Sequence, residues 1–105
     1  MLFRSLVSRA PAVLFMKGSP AAPQCGFSDK VVRLLREHGV PLAAPDDTFD
    51  IFTDQAVREG LKVLFSWPTF PQLYVRGELV GGLDVLREMA AEDPTRNLAQ
   101  QLGLA

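Results

Sequence analysis

Apolar residues along the chain follow two periodicities, and the switches between them predict an alternation of helices and strands. Leu2, Leu6 and Val7 stand at helical spacing, and Pro11 closes that segment. Ala12-Val-Leu-Phe-Met16 is an unbroken apolar run of strand length, the pattern of a strand covered on both faces. A loop rich in Gly and Pro occupies 18–24. Phe27, Val31, Leu34 and Leu35 then fall at i, i+4, i+7 and i+8, with Asp29, Lys30, Arg33 and Glu37 opposite, which predicts a helix ending at Gly39.

Residues 40–47 carry two prolines and two acids and read as loop, with Asp46 and Asp47 solvated. Thr48-Phe-Asp-Ile-Phe52 alternates and predicts a short strand. Asp54 is placed to cap a helix whose Val57, Leu61 and Leu64 share one face, and Ser66-Trp67-Pro68 breaks it. Trp67 and Pro68 themselves read as core and turn. Gln72–Val75 and Glu78–Val80 flank Arg76-Gly77 as a β-hairpin. Gly81-Gly82 leads into a helix at Leu83 with Leu86, Met89 and Ala90 on one face. Asp93-Pro94 predicts the start of a last helix bearing Leu98 and Leu102. The predicted class is α/β: a four-stranded mixed sheet flanked by helices, with a parallel first β-α-β and an antiparallel closing hairpin. That is a thioredoxin-like arrangement.

Composition narrows the function classes. The 105 residues fit one domain spanning 1–105, and 48% hydrophobic content is enough for a real core. A net charge of −1 offers no basic field for nucleic acid. No apolar run approaches the ~20 residues that span a bilayer. The Arg- and Ser-bearing start resembles a transit peptide, but it is short and runs straight into a strand signal, so a first helix is expected there.

Cys25 is the one cysteine, in the run Lys17-Gly-Ser-Pro-Ala-Ala-Pro-Gln-Cys25-Gly-Phe-Ser28. A single thiol forms no intramolecular disulfide, so its chemistry needs a sulfur from outside the chain, and it suits a reducing compartment. Standing at a helix entrance, it meets the helix dipole and free N–H groups, which favour the thiolate, and Lys17 adds a nearby positive charge. Ser28 reads as structural, yet it stands where a dithiol enzyme carries its second cysteine. His38, at a helix end, reads as a cap and not as a metal ligand.

Met16-Lys17-Gly18-Ser-Pro, Cys25-Gly-Phe-Ser28, Trp67-Pro-Thr-Phe-Pro-Gln-Leu-Tyr74 and Gly81-Gly82-Leu83-Asp84, in that order, resemble the monothiol CGFS-type glutaredoxins. Leu83 and the stretch Glu59-Gly-Leu-Lys62 lean toward the glutaredoxin domains of PICOT-type multidomain proteins, although 40–48 is several residues longer than in those domains. The resemblance implies a [2Fe–2S] cluster bridged by Cys25 from two protomers and two glutathiones, since such a cluster takes four ligands. It implies that Lys17 and Arg58 hold the glycyl carboxylate of glutathione. Phe27 borders the site beside Cys25. Thr69-Phe70-Pro71, with Pro71 cis, offers the Phe70 backbone to the cysteinyl unit. Gly82 and Leu83 present N–H groups to the γ-glutamyl carboxylate, and Asp84 pairs with its ammonium.

The implied role is cluster transfer and iron homeostasis. The protein is then a homodimer when loaded and a monomer when apo, serving apo iron–sulfur client proteins and a cluster-regulatory partner in the cytoplasm and nucleus rather than in organelles. Two other readings stand beside it. One is a glutathione-dependent thiol–disulfide oxidoreductase acting through Cys25, with weak activity at most. The other is a redox-weak thioredoxin-like interaction module. The seven residues 18–24 favour cluster binding over reductase chemistry, because the resemblance associates a longer loop with the former.

Overall fold

The computed structural model describes residues 3–66 and 69–105. Its order is α1 (Phe3–Val7), β1 (Ala12–Met16), α2 (Gly26–Glu37), β2 (Thr48–Asp50), α3 (Gln55–Leu64), β3 (Gln72–Val75), β4 (Glu78–Gly81), α4 (Leu83–Glu92) and α5 (Leu98–Gln101), with short 3-10 turns at Pro45–Asp47 and Ile51–Thr53. The sheet runs β2-β1-β3-β4, with β1 parallel to β2 and antiparallel to β3, and β3 antiparallel to β4.

β1 is interior, and all five of its residues are buried. Alternation divides them between two cores. Ala12, Leu14 and Met16 join Val31, Val32 and Leu35 of α2 with Leu86 of α4 and Leu98 of α5. Val13 and Phe15 join Val7 of α1 and Val57 and Leu61 of α3 on the other face. An unbroken apolar run is stable only in such a position, where both faces are covered.

The helices turn differently from the periodicity reading. On α2 the buried residues are Ser28, Val31, Val32 and Leu35, while Phe27 is 63% exposed and Leu34 half-buried. The apolar arc is rotated because the sheet, not the most hydrophobic stripe, selects the inner face. Leu64 likewise points outward from α3. The second strand ends at Asp50, because the Asp50 carboxylate accepts the Phe52 N–H at 2.9 Å and curls Ile51–Thr53 into a 3-10 turn. The long segment before β2 is organised by Asp47, which is buried rather than solvated and accepts the Ala44 N–H at 3.0 Å. Arg9 donates to the carbonyls of Asp46 and Thr48 from the other side.

At the C-terminal end, Asp93 forms a turn with Thr95 and Arg96 instead of opening a helix. α5 starts later, with Asn97 as its cap: Oδ1 accepts the Gln100 N–H at 2.8 Å, and the Gln100 side chain accepts the Asn97 N–H in return. Leu102 follows that helix as its C-terminal cap. His38 caps α2 as expected and also accepts the Leu98 N–H at Nδ1, 3.0 Å away. Leu2, Trp67 and Pro68, each assigned a place from the sequence, lie outside the described residues.

Candidate functional site

Cys25 caps α2. Its backbone is extended (φ −153°, ψ 159°), and its sulfur accepts the Ser28 N–H at 3.3 Å. Three features hold the sulfur there. The Ser28 hydroxyl lies 3.3 Å from Sγ and also accepts the Lys17 N–H at 3.1 Å. The loop 18–24 closes on itself through the Gln24 N–H to the Lys17 carbonyl at 2.8 Å. Gly18, with φ of 90°, donates its N–H to Asp50 at 3.0 Å, tying the loop to the end of β2. A Cβ at Gly18 would meet the Ala22 carbonyl oxygen at 2.5 Å, so the loop needs glycine there for both space and conformation.

The Cys25 thiol is shifted below its ordinary range. Partial burial is the largest influence and opposes the charge. It is outweighed by the Ser28 hydroxyl, the Ser28 N–H, the Lys17 charge and the Phe27 N–H together. The result is a half-buried sulfur at a helix N-terminus with a thiolate-favouring surround.

Beside it runs a groove of about 520 Å³. α3 brings Arg58 and Lys62 to one side, one helical turn apart, because Asp54 caps the helix through the Val57 N–H at 3.1 Å and Val57 and Leu61 are buried behind them. Lys17 and Phe27 contribute from the two flanks of the loop. Thr69, Phe70 and Pro71 form a wall that includes the cis Phe70–Pro71 bond. The far end is the start of α4, where Gly82, Leu83, Asp84 and Val85 line the groove. Gly82 is needed for close approach, since a Cβ there would sit 2.9 Å from the Pro71 carbonyl oxygen. No side chain caps α4, which leaves its first N–H groups open to an anion.

Every residue expected at the site, apart from Cys25 itself, lines this groove. The sequence reading missed Lys62 and Val85 as lining residues. It also missed Ser28 as a partner of the sulfur and Asp50 as the anchor of the loop. For Lys62 a signal was available, because it lies four residues beyond Arg58 on a predicted helix. Charges in the lining are lopsided: Lys17, Arg58 and Lys62 against Asp84. Lys62 is 3.4 Å from Glu59. The Arg58 guanidinium stacks over Phe52 at 5.7 Å, and its Nε is buried with no hydrogen-bond partner among the described residues. No group of three or more His, Cys, Asp or Glu residues able to hold a metal occurs among the described residues, so Cys25 is the metal-competent thiolate a protomer has to offer. No helix among them is long and apolar enough to cross a membrane.

The chain is similar to known proteins in sequence and in fold. The glutaredoxin family profile matches residues 12–80. Human Glutaredoxin-3 is 50% identical over 90 residues, which cover 86% of this chain and 26% of that protein. Monothiol glutaredoxin-4 of Saccharomyces cerevisiae is 53% identical over 89 residues, covering 85% of this chain and 35% of its own length. The chain thus spans about a quarter to a third of these relatives. Among solved structures, reduced apo GrxS14 of poplar superposes with a TM-score of 0.74 at 37% identity, covering 96% of this chain and 89% of that one. With about half of the aligned residues identical to such relatives and a lone thiol at the entrance of α2, the chain belongs to the glutaredoxin family, in its monothiol branch.

Proposed function

We propose that the groove binds glutathione and that Cys25, together with the thiol of that glutathione, holds a [2Fe–2S] cluster between two copies of the chain for delivery to apo client proteins. The observation that carries this reading is the match of charges around one half-buried thiol. Three cations and one carboxylate line the groove, and glutathione brings two carboxylates and one ammonium. Lys17 and Arg58 take the glycyl carboxylate, and the orphaned Arg58 Nε gains a partner in doing so. The open N–H groups at the start of α4 take the γ-glutamyl carboxylate, with Asp84 beside its ammonium. The Phe70 backbone pairs with the cysteinyl peptide unit as an added strand would.

The donor set fits a cluster carried as cargo. One protomer offers one half-buried thiol whose surroundings lower its pKa; two protomers and two glutathiones supply the four thiolates that a [2Fe–2S] cluster takes. A regulatory partner that competes for the same face fits the same scheme. A reducing compartment, where glutathione is abundant and a free thiol persists, suits this activity: the cytoplasm, with the nucleus as a second site.

The lowered thiol pKa also supports a second reading, glutathione-dependent thiol–disulfide exchange. There the Cys25 thiolate attacks the glutathionyl sulfur of a mixed disulfide and the client leaves as thiolate. With Ser28 in place of a second cysteine, another glutathione must resolve the product.

Anaerobic reconstitution with iron, sulfide and glutathione separates the two. Under the cluster reading the apo protein is a monomer, loading gives a coloured species of twice the mass, and a chelator bleaches it and halves the mass together. Cys25→Ser abolishes the colour without loss of fold. A colourless stable dimer, or a coloured monomer indifferent to glutathione, overturns the reading.

A further inference from the structure

Gln72 and Tyr74 stand two residues apart on β3, so both side chains face α1 and α3, on the side that holds Val57, Leu61 and Phe70. A primary amide is out of keeping with such neighbours. Gln72 is fully buried, paired across the sheet with Phe15, and burial of an amide is costly unless its polar atoms are bonded.

Its bonds have a defined sense. Nε2 donates to the Thr69 carbonyl at 3.1 Å, and the Tyr74 hydroxyl donates to Oε1 at 2.9 Å. A backbone carbonyl only accepts, so the amide nitrogen must face Thr69. Oε1 then faces Tyr74, whose hydroxyl must be the donor. Edge contacts with Phe15 at 5.3 Å and Phe65 at 5.2 Å hold the Tyr74 ring from two sides. Burial pushes the phenol well above its ordinary range, which keeps the donated proton in place.

The effect reaches the groove through one peptide plane. The cis bond is Phe70–Pro71, so the preceding Thr69–Phe70 peptide is trans, with C=O and N–H on opposite sides. Since the Thr69 carbonyl is turned inward to Gln72, the Phe70 N–H is turned away from it, and it has no hydrogen-bond partner among the described residues. Thr69 and Phe70 both line the groove, whereas Gln72 and Tyr74 do not.

We infer that Gln72 and Tyr74 are positioning residues of the groove: the chain Tyr74–Gln72–Thr69 sets the plane of the Thr69–Phe70 peptide and aims the Phe70 N–H at the peptide backbone of the ligand. For the identity of that ligand the inference rests on the glutathione reading above.

Amide NMR of the parent, Tyr74→Phe and Gln72→Met, free and titrated with glutathione, tests it alongside Tm and thiol titration. Tyr74→Phe keeps the ring packing and removes the donor; Gln72→Met keeps the volume and removes the amide that bonds Thr69 and Tyr74. In the free variants the Phe70 amide resonance is displaced while that of Leu83 stays. Glutathione binds about three- to tenfold more weakly, the scale of one neutral hydrogen bond. The Cys25 titration matches the parent. Parent-like glutathione affinity with a lowered Tm would show a merely structural role and overturn the inference, as would an unmoved Phe70 resonance. If the parent itself takes no glutathione, the functional reading fails, and the Phe70 resonance in the free variants still decides: displaced supports the positioning role, unmoved refutes it. Should Gln72→Met not fold, Tyr74→Phe carries the same comparison.

Discussion

The Ser28 hydroxyl lies 3.3 Å from the Cys25 sulfur while accepting the Lys17 N–H at 3.1 Å. Accepting that N–H engages only a lone pair, so the hydroxyl keeps its own proton to donate to the sulfur once the thiol ionises. Ser28 is fully buried, so water does not compete for either bond. A position that reads from the sequence as an absent second cysteine is thus an active partner of the thiolate.

Ser28→Ala is therefore expected to raise the Cys25 pKa, and to raise it more than Lys17→Ala does. Hydrogen bonding from Ser28 outranks the Lys17 charge among the influences that lower it. The variant also strands the Lys17 N–H, at a stability cost of about 1–3 kcal/mol. Ultraviolet titration of the thiolate in the two variants gives the order directly. A larger shift in Lys17→Ala would reverse this assignment.

Lys17→Ala is expected to act chiefly on glutathione. A charge-assisted bond to a carboxylate contributes about 1.5–3 kcal/mol, so affinity should fall by an order of magnitude or more. Calorimetric titration measures it. Equal affinity in variant and parent would remove Lys17 from the carboxylate site.

Three glycines should respond differently to alanine. Gly18→Ala combines a φ of 90° with a backbone oxygen 2.5 Å from the new Cβ, and is expected to destabilise the fold by more than about 1 kcal/mol. Gly82→Ala drives a Cβ against the Pro71 carbonyl oxygen at 2.9 Å; overpacking of this kind costs about 1–3 kcal/mol and falls on the groove wall, so glutathione affinity should suffer. Gly26→Ala meets nothing within 4 Å and improves helix propensity, so the apo fold should be as stable as the parent or slightly more so. Denaturant melts of the three, with glutathione titration of Gly82→Ala, check the ranking.

The lowered Cys25 pKa links stability to pH. The native state loses the thiol proton before the unfolded chain does, so between the native pKa and the unfolded value of about 8.5 the unfolded state binds more protons and stability rises with pH. The gain is complete above the unfolded value and is lost as pH falls through the native one. Relative to Cys25→Ser, the parent should be more stable at mildly alkaline pH than at acidic pH. A difference independent of pH would show that the thiolate is not preferred in the fold.

Local pattern was enough for the elements whose signal is short-range. The apolar run Ala12–Met16 reads as an interior strand, Asp54 as the cap of the helix beginning at Gln55, and Arg76-Gly77 between two strand-like runs as a hairpin turn, and each forms as read. Likewise the groove residues were legible as motifs, because each short run carries its own turn, cap or cis proline, and their identification came from resemblance rather than from periodicity. What the chain alone left undecided depends on partners distant in sequence. Phe27 and Leu64 carry the helical period of their neighbours yet face outward, since the sheet takes the adjoining arcs of α2 and α3. The last helix begins at Asn97 and not at Asp93, because Asn97 shares a reciprocal cap with Gln100 while His38, sixty residues earlier, takes the Leu98 N–H. Asp50 holds the loop before Cys25 from 32 residues away, and the Ser28 hydroxyl reaches the sulfur in the pose set by the N–H of Lys17. Residue type and local period determine which elements form and which side chains carry charge or a thiol. Only packing determines how each helix is rotated and which buried polar atom meets which, because a hydrogen bond or a covered face is a relation between segments that no single segment contains.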